Sequence, residues 1–374
     1  MKTVILKGYY GRDNFGDEIM MELIISYFKN LYPSLQLQVM NSNPCMLEEK
    51  YGIKTPVELV TGNYGKKDAL KRIATIIRAN CYIVGGGTII TDKHSSLHLV
   101  EYLIEFGIRR ILHRPSIFIS VGATEFKHKS TQLICKMLLR CSNLSMIRDS
   151  ESFALLSKLY SGKSIVKTGD LVLLAFDQNR STISKKTTFE KKKIGLSLMP
   201  YHESLYNRPE LDVELAKEFA DVADLLAKEG FNVSIIPIQY GYNNDLDYRF
   251  SKMVLNMCES NVELFECRNN EEKMRKISTL DCLVSMRLHS LLCAISNNIN
   301  CIAINHNEKI ESCLKVYGIQ NQSVTLENIH DIVGKVKEIP AMCDYTEIVA
   351  EQRLEAAKNF EFLSKILDKV VGDE

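Results

Sequence analysis

The chain has 374 residues, of which 45% are apolar and 25% charged, and a formal net charge of +1. That length supports two domains, each with its own core, and a balanced charge with no long run of one sign excludes a nucleic-acid footprint or a strongly acidic partner. The 11 cysteines lie scattered in apolar segments without C-x-x-C spacing, so they read as reduced core residues of a cytoplasmic protein. Met1-Lys2 runs straight into a strand-like segment that Lys7 and Gly8 break, so no signal peptide is expected. No window approaches the roughly 18 uninterrupted apolar residues of a spanning helix.

Val4 to Leu6 is a short apolar run that ends in a glycine-rich turn, Gly8 to Gly16. Asp17-Glu18 then opens a helix with Ile19, Leu23 and Tyr27 on one face. Glycines let backbone N–H groups approach a ligand, so this loop reads either as a phosphate or sugar cradle or as a tight structural turn. It carries neither G-x-x-x-x-G-K-[ST] nor G-x-G-x-x-G, so neither a nucleoside triphosphatase nor a dinucleotide fold is indicated. Further strands are predicted at 35–40, 81–84, 116–121, 144–147 and 164–167, with helices at 67–79 and 97–112 between them. The alternation implies a parallel sheet with helices on both faces. Gly85-Gly86-Gly87-Thr88 and Arg148-Asp149 follow their strands directly, at the edge where open α/β sheets bind ligands.

Periodicity vanishes at 177–193, a polar run rich in Ser, Thr and Lys that reads as a domain linker. A second series follows: strand 194–198, helix 213–228 with a buried stripe of Leu215, Phe219, Val222 and Leu226, strand 232–237, helix 246–257, strand 262–265 and helix 271–277. The stretch from Asp281 to Lys309 is then a β-α-β unit: strand 282–286, a helix opening at Arg287, strand 300–304, and a polar loop ending in Lys309. Leu288, Leu291, Leu292 and Ile295 define the buried face of that helix, with His289 and Ser290 off it. Helices at 325–336 and 345–370 close the chain, the last returning to brace the first domain. The expected division is 1–176, linker 177–193, 194–344 and a C-terminal helix 345–374.

Arg287 and His289 stand at a strand-to-helix junction, where unpaired N–H groups and the helix dipole favour an anion, and Lys309 adds a further donor. The same dipole disfavours an imidazolium, so His289 is a candidate neutral base, with a helix-cap neighbour as the plainer reading. Arg148 suits a bidentate grip on carboxylate or phosphate, or an ion pair with Asp149 or Glu151. Arg287 has an alternative role bracing its own domain, and Lys309 an alternative as a solvated charge. His94 and His98 are four residues apart but lack the glutamate of a zinc protease and read as a surface helix. Asp245-Leu246-Asp247 imitates an Asp-x-Asp metal clamp but opens a helix, where carboxylates are ordinary. No cluster has metal-ligand spacing.

Five motifs taken together, Gly8-x-x-Gly11-x-x-Asn14-x-Gly16-Asp17, Gly85-Gly86-Gly87-Thr88, Arg148-Asp149-x-Glu151, Gly169-Asp170 and Ser285-Met286-Arg287-Leu288-His289-Ser290 with its downstream Lys309, resemble the polysaccharide pyruvyl transferases in order and spacing. Asn300, His306 and Leu171 depart from that pattern, standing where the family carries Pro, an aromatic residue and Pro. The resemblance implies two Rossmann-like, doubly wound α/β domains facing each other across a cleft in the GT-B manner. It implies transfer of a pyruvyl group from phosphoenolpyruvate to a sugar of a cell-surface polysaccharide or its precursor, giving a ketal and phosphate. Phosphoenolpyruvate is then a co-substrate, with no cofactor and no metal. His289 would be catalytic, and Arg148, Arg287 and Lys309 would hold the donor anion. Gly11, Asn14, Gly16, Asp17, Gly86, Gly87, Thr88 and Asp170 would bind substrate, on the acceptor side or helping to hold the donor, and which domain takes which substrate is open. The acceptor is left open between polymer, lipid-linked and nucleotide-linked sugar, with peripheral contact at the inner face of the membrane, and the oligomeric state is open. Two competitors remain: a GT-B nucleotide-sugar glycosyltransferase, and a non-catalytic module that binds an anionic sugar.

Overall fold

Two six-stranded parallel sheets carry the chain. The computed structural model describes residues 1–60, 66–93, 95–176, 192–241, 245–339 and 343–372. Most of the expected linker, 177–191, and His94 lie outside the described residues. Contacts divide the chain into a first unit, Met1–Ala175 with Gln352–Glu374, and a second, Phe176–Glu351.

The first unit runs β1 (Thr3–Lys7), α1 (Phe15–Leu31), β2 (Gln36–Val39), α2 (Pro44–Tyr51), α3 (Lys66–Arg78), β3 (Cys81–Gly85), α4 (Leu97–Ile111), β4 (Ser116–Val121), α5 (Lys129–Cys141), β5 (Leu144–Ile147), α6 (Ser150–Leu159) and β6 (Ile165–Lys167). Its sheet order is β2-β1-β3-β4-β5-β6, all parallel, with Val4 opposite Cys81 and Tyr82 opposite Ser116. Every residue of β3 and β4 is buried. Helices on both faces therefore cover the central strands, which is why they read as continuous apolar runs without alternation. The order reverses between β1 and β3, so the loops after these two strands lead to opposite faces and open a crevice at the sheet's carboxyl edge. Those loops are the two glycine motifs.

The second unit runs β7 (Lys193–Ser197), α7 (Tyr201–Tyr206), α8 (Asp212–Lys228), β8 (Asn232–Ile235), α9 (Leu246–Met257), β9 (Glu263–Leu264), α10 (Asn270–Ser278), β10 (Cys282–Ser285), α11 (Leu288–Ser296), β11 (Asn300–Ile304), α12 (Glu308–Tyr317), β12 (Ser323–Val324) and α13 (Asp331–Glu338), and α14 (Thr346–Gly372) starts in it and passes into the first unit at Gln352. The sheet order is β12-β11-β10-β7-β8-β9. Its reversal falls between β7 and β10, and the loop after β10 carries Arg287 and His289. Both sheets thus present sequence-predicted candidates at a topological switch point.

Four expectations need correction. On α1 the buried apolar side chains are Phe15, Ile19, Met20, Met21, Ile24, Ile25 and Phe28, while Leu23 and Tyr27 are only half-buried. The stripe is shifted because α14 covers the second side of the helix: Tyr27 stacks on Phe360 at 4.2 Å and Tyr32 Oη donates to Asp368 at 2.7 Å. On α11 Ser290 is buried and Leu288 is not, because the helix is enclosed on nearly all sides from Ser290 to Ser296. Lys309 sits on α12 and not in a loop, and the expected helix 325–336 is a short turn, Leu326–Asn328, followed by α13.

Gly169 explains how α14 reaches the first unit. A Cβ there would lie 2.6 Å from the backbone nitrogen of Ala356. Gly169 N donates to Glu355 O at 3.0 Å and Asn359 Nδ2 donates to Gly169 O at 2.9 Å. Gly169→Ala is expected to lower stability by about 1–3 kcal/mol, the usual scale for overpacking against backbone, read as a lower urea midpoint than the parent chain.

Candidate active site

In the first unit a carboxyl organises the loop after β1. Glu18, one turn into α1 and 4% exposed, accepts the N–H groups of Gly11 at 2.7 Å and Arg12 at 3.1 Å through Oε1. Its Oε2 is buried with no hydrogen-bond partner among the described residues. Burial pushes the Glu18 pKa up to about 8 against the pull of those two N–H groups, and the neighbouring Asp13 and Asp17 push the same way. The group is therefore largely a neutral acid at pH 7, a property that its place in an acidic first turn did not announce. Tyr10 Oη donates to Gly85 O at 3.1 Å and ties this loop to the one after β3. Asp17, 6% exposed, lies against that second loop: a Cβ on Gly87 would stand 3.0 Å from its Oδ1. Asn14 precedes α1 without a side-chain cap, and Gly16 is buried in the first turn.

Arg148, Thr88 and Asp170 come together as one group from three strand ends. Arg148 donates to Asp170 Oδ2 at 2.9 Å and to Thr88 Oγ1 at 3.2 Å. Asp149, at 3.9 Å from Arg148 Nε, is chiefly the cap of α6 and accepts the Ser152 N–H at 2.7 Å. The ion pair expected with Asp149 or Glu151 is thus mainly one with Asp170. Leu171, where the family carries Pro, uses the amide that Pro lacks: it donates to Ser120 Oγ at 3.0 Å.

In the second unit the turn from β10 into α11 is fastened by hydroxyls. Arg287 N donates to Ser285 Oγ at 2.9 Å, Ser290 Oγ donates to Arg287 O at 2.8 Å, and the two hydroxyl oxygens are 2.7 Å apart. Ser197 Oγ on β7 donates to Ser290 Oγ at 3.3 Å. Ser285 and Ser290 lie within the motif quoted from the sequence but have no role assigned there, and Ser197 is not singled out; the signal for all three is a pair of serines at adjacent strand ends, at positions otherwise apolar. The helix they open has no side-chain cap and no acidic residue in its first turn, so its N-terminal dipole is not already matched by a carboxylate. His289 sits half-buried in that turn.

Arg287 has a different commitment. Its Nε donates to Asp247 Oδ2 at 3.0 Å, Nη2 pairs with Asp247 Oδ1, and Nη2 also donates to Gln239 Oε1 at 2.8 Å. Asp247 is fully buried, whereas Asp245 is exposed and pairs with Arg249 at 3.1 Å. The two carboxylates of the Asp-x-Asp sequence therefore serve different arginines, and the described residues contain no group of three or more metal-ligating side chains.

Lys309 is exposed in the first turn of α12, whose cap Asn307 accepts the Ile310 N–H at 3.1 Å. His306 lies before it, with Nδ1 3.0 Å from Ile304 O and Nε2 2.7 Å from Asn307 Nδ2. Burial lowers the His306 pKa, the carbonyl of Ile304 opposes this, and Arg287 lowers it further. With Nδ1 donating to the carbonyl, Nε2 is left as an acceptor. Its ring stands edge-on to that of Tyr201, with centroids 5.5 Å apart. Asn300, at the other departure, donates to Asp281 O at 3.2 Å and accepts from Cys343 Sγ.

The two sheets and their switch points define a GT-B-like class, and solved structures share it. A UDP-GlcNAc 2-epimerase from Neisseria meningitidis bound to UDP-GlcNAc superposes with a TM-score of 0.64 at 14% identity, over 99% of this chain and 100% of that one. The epimerase of Methanocaldococcus jannaschii gives 0.60 at 13% identity, over 91% and 92%. The Anabaena protein HepE in complex with UDP-glucose gives 0.56 at 12%, over 99% and 98%. No curated protein sequence matches. The polysaccharide pyruvyl transferase family model matches residues 14–308, and the chain belongs to that family.

The raised carboxyl has a definite consequence for stability. Glu18 binds its proton more tightly folded than unfolded, so its contribution is fully present below about pH 4.3 and is lost as pH rises towards 8. Over that window stability falls by up to about 1.4 kcal/mol per pH unit from this group. Glu18→Gln keeps an acceptor for Gly11 and Arg12 but cannot ionise. Urea unfolding at pH 5 and pH 8.5 should show a smaller decline for the variant, and equal declines would place the ionisation elsewhere.

Proposed function

We propose that this chain transfers the pyruvyl group of phosphoenolpyruvate to two hydroxyls of one sugar of a cell-surface polysaccharide or its precursor. The enol methylene gains a proton and becomes a methyl group, two carbon–oxygen bonds form to the sugar, and the bond to phosphate breaks. One hydroxyl proton balances the methyl group and the other leaves with phosphate. The observation that carries the reading is the family match, which extends through the Arg287-Leu288-His289 turn and ends one residue before Lys309.

The roles follow from the chemistry that this reaction requires. Phosphoenolpyruvate brings a carboxylate and a phosphate, which suit the uncapped start of α11, Lys309 and the Arg148 guanidinium. His289 is the candidate for moving protons between hydroxyl, methylene and phosphate. Arg287 supports that turn from behind, through Asp247. On the acceptor side we assign the loops carrying Gly11, Asn14, Gly16, Asp17 and Gly86 to Thr88, with Asp170 holding Arg148 in place. No cofactor or metal is required by this scheme, because cationic side chains neutralise the developing phosphate charge.

The UDP-sugars named for two of the fold neighbours favour a second reading, a nucleotide-sugar transferase. Phosphate release separates the two: the first requires phosphoenolpyruvate plus acceptor, and the second releases a nucleotide and ignores phosphoenolpyruvate. Against an acceptor panel, His289→Ala should cut kcat by on the order of a hundredfold or more. His289→Gln, which cannot shuttle a proton, should be equally impaired. A Gln variant that keeps most of kcat limits His289 to positioning. Turnover should survive exhaustive chelation, and a loss restored by one divalent ion would overturn the metal-free scheme.

A further inference from the structure

Helix α4 has the reverse of a surface helix's polarity. Glu105 and Arg109 are fully buried on it, whereas Leu97, Ile104 and Ile111, spaced by seven residues, are exposed by 76%, 50% and 76%. Half-exposed Val100 and Ile108 continue the same ridge, and Gly107 beside them has open space where a Cβ would be. A ridge of exposed aliphatic side chains along a helix belongs against a partner surface or lipid. Helix α5 packs alongside and extends the surface with exposed Leu133 and Met137, one turn apart.

The exposed charges on these two helices all have one sign, and the half-exposed Glu101 of α4 is already paired with Lys7 and Arg72. Lys129, Lys136 and Arg140 are exposed on α5, which contains no Asp or Glu, and Arg110 is exposed on α4. We propose that the outer face of α4 and α5 docks on an anionic lipid bilayer, with the leucine and isoleucine ridge entering the headgroup boundary and the basic residues meeting lipid phosphates. Charge selects this occupant: a second copy seated on the same face would bring two basic rims together, while an anionic headgroup layer complements them. An apolar face flanked by Lys and Arg is also the composition of an element that lies in a membrane interface without crossing it. No helix among the described residues is long and apolar enough to cross one.

The test is sedimentation of the full chain with vesicles of phosphatidylcholine alone or of equal parts phosphatidylcholine and phosphatidylglycerol. The chain should pellet with the anionic vesicles only. Lys136→Glu with Arg140→Glu should lower partitioning about tenfold or more, and Ile104→Glu with Ile111→Glu should lower it comparably without changing the melting temperature. Binding that ignores the isoleucine pair is adsorption of charge alone and overturns the proposal, as does failure to pellet. A concentration-dependent dimer in sedimentation velocity that Ile104→Glu dissociates would assign the face to a second copy and overturn it too. None of these residues belongs to the candidate active site, so phosphate release on a soluble acceptor should stay at the parent level. A failure of this proposal is thereby distinguishable from a failure of the proposed reaction.

Discussion

A buried ion pair fixes the edge of the first sheet from which its ligand loops depart. Lys7 Nζ, at the end of β1, stands 3.1 Å from Glu101 and 3.2 Å from Glu105, with the Tyr102 ring 4.5 Å away, and Tyr82 Oη donates to Glu105 at 2.7 Å. Burial pulls the Lys7 pKa down, but the two carboxylates outweigh it and hold it above its ordinary value. A buried charge persists only when it is paired and fully hydrogen-bonded. The consequence reaches in two directions. Gly8 begins its loop from a strand end locked to β3 and α4, and α4 must turn its carboxylates inward. Arg109 makes the same demand, donating to Ser116 Oγ at 2.9 Å, Ile76 O at 2.6 Å and Pro115 O at 2.7 Å. With its polar positions committed inside, α4 is left with aliphatic residues outside.

A shared design governs the candidate site residues in each unit: a buried or half-buried carboxyl holds the donors that gather at a strand end. Glu18 gathers the amides of Gly11 and Arg12, Asp170 holds Arg148, and Asp247 holds Arg287. Each acceptor is matched to donors that the surrounding backbone cannot satisfy, and an unmatched donor at a strand end costs about as much as a lost hydrogen bond. Glu18 differs from the other two because its donors are neutral amides. Nothing offsets its desolvation with a full positive charge, and burial pushes its carboxyl up to about 8.

Parallel strands were legible because central strands of a covered sheet are continuous apolar runs, and the loops after β1, β3, β5 and β10 could be placed at the carboxyl edge from that alone. Helix faces were less legible. The α1 stripe was read for one covering layer, whereas α14 supplies a second from far along the chain, and α11 is enclosed on nearly all sides. Periodicity reports one interface at a time, so a helix between two partners loses its signal. Short elements such as α2, α7 and β12 were not read at all, since six to eight residues, or two in a strand, give no period to detect. The Asp247–Arg287 pair was invisible for a different reason: forty positions separate residues that only sheet order brings together.

Arg148 and Arg287 show why residue type alone does not assign a role. Arg287 engages one carboxylate through Nε and Nη2 together, the two-pronged geometry for which a guanidinium is best suited, and the carboxylate it meets is fully buried. Removing either member would strand the other, so this pair is structural even though it stands at a switch point. Arg148 instead meets Asp170 with Nη1, Thr88 with Nη2 and, at 3.9 Å, Asp149 with Nε, contacts to three separate groups. That arrangement orients the guanidinium plane without spending a bidentate edge on a protein carboxylate. In the proposed reaction, donor recognition by arginine is therefore assigned to Arg148 rather than Arg287, and in the second unit the anion is assigned to the α11 amides and Lys309, with Arg287 securing the turn that carries His289.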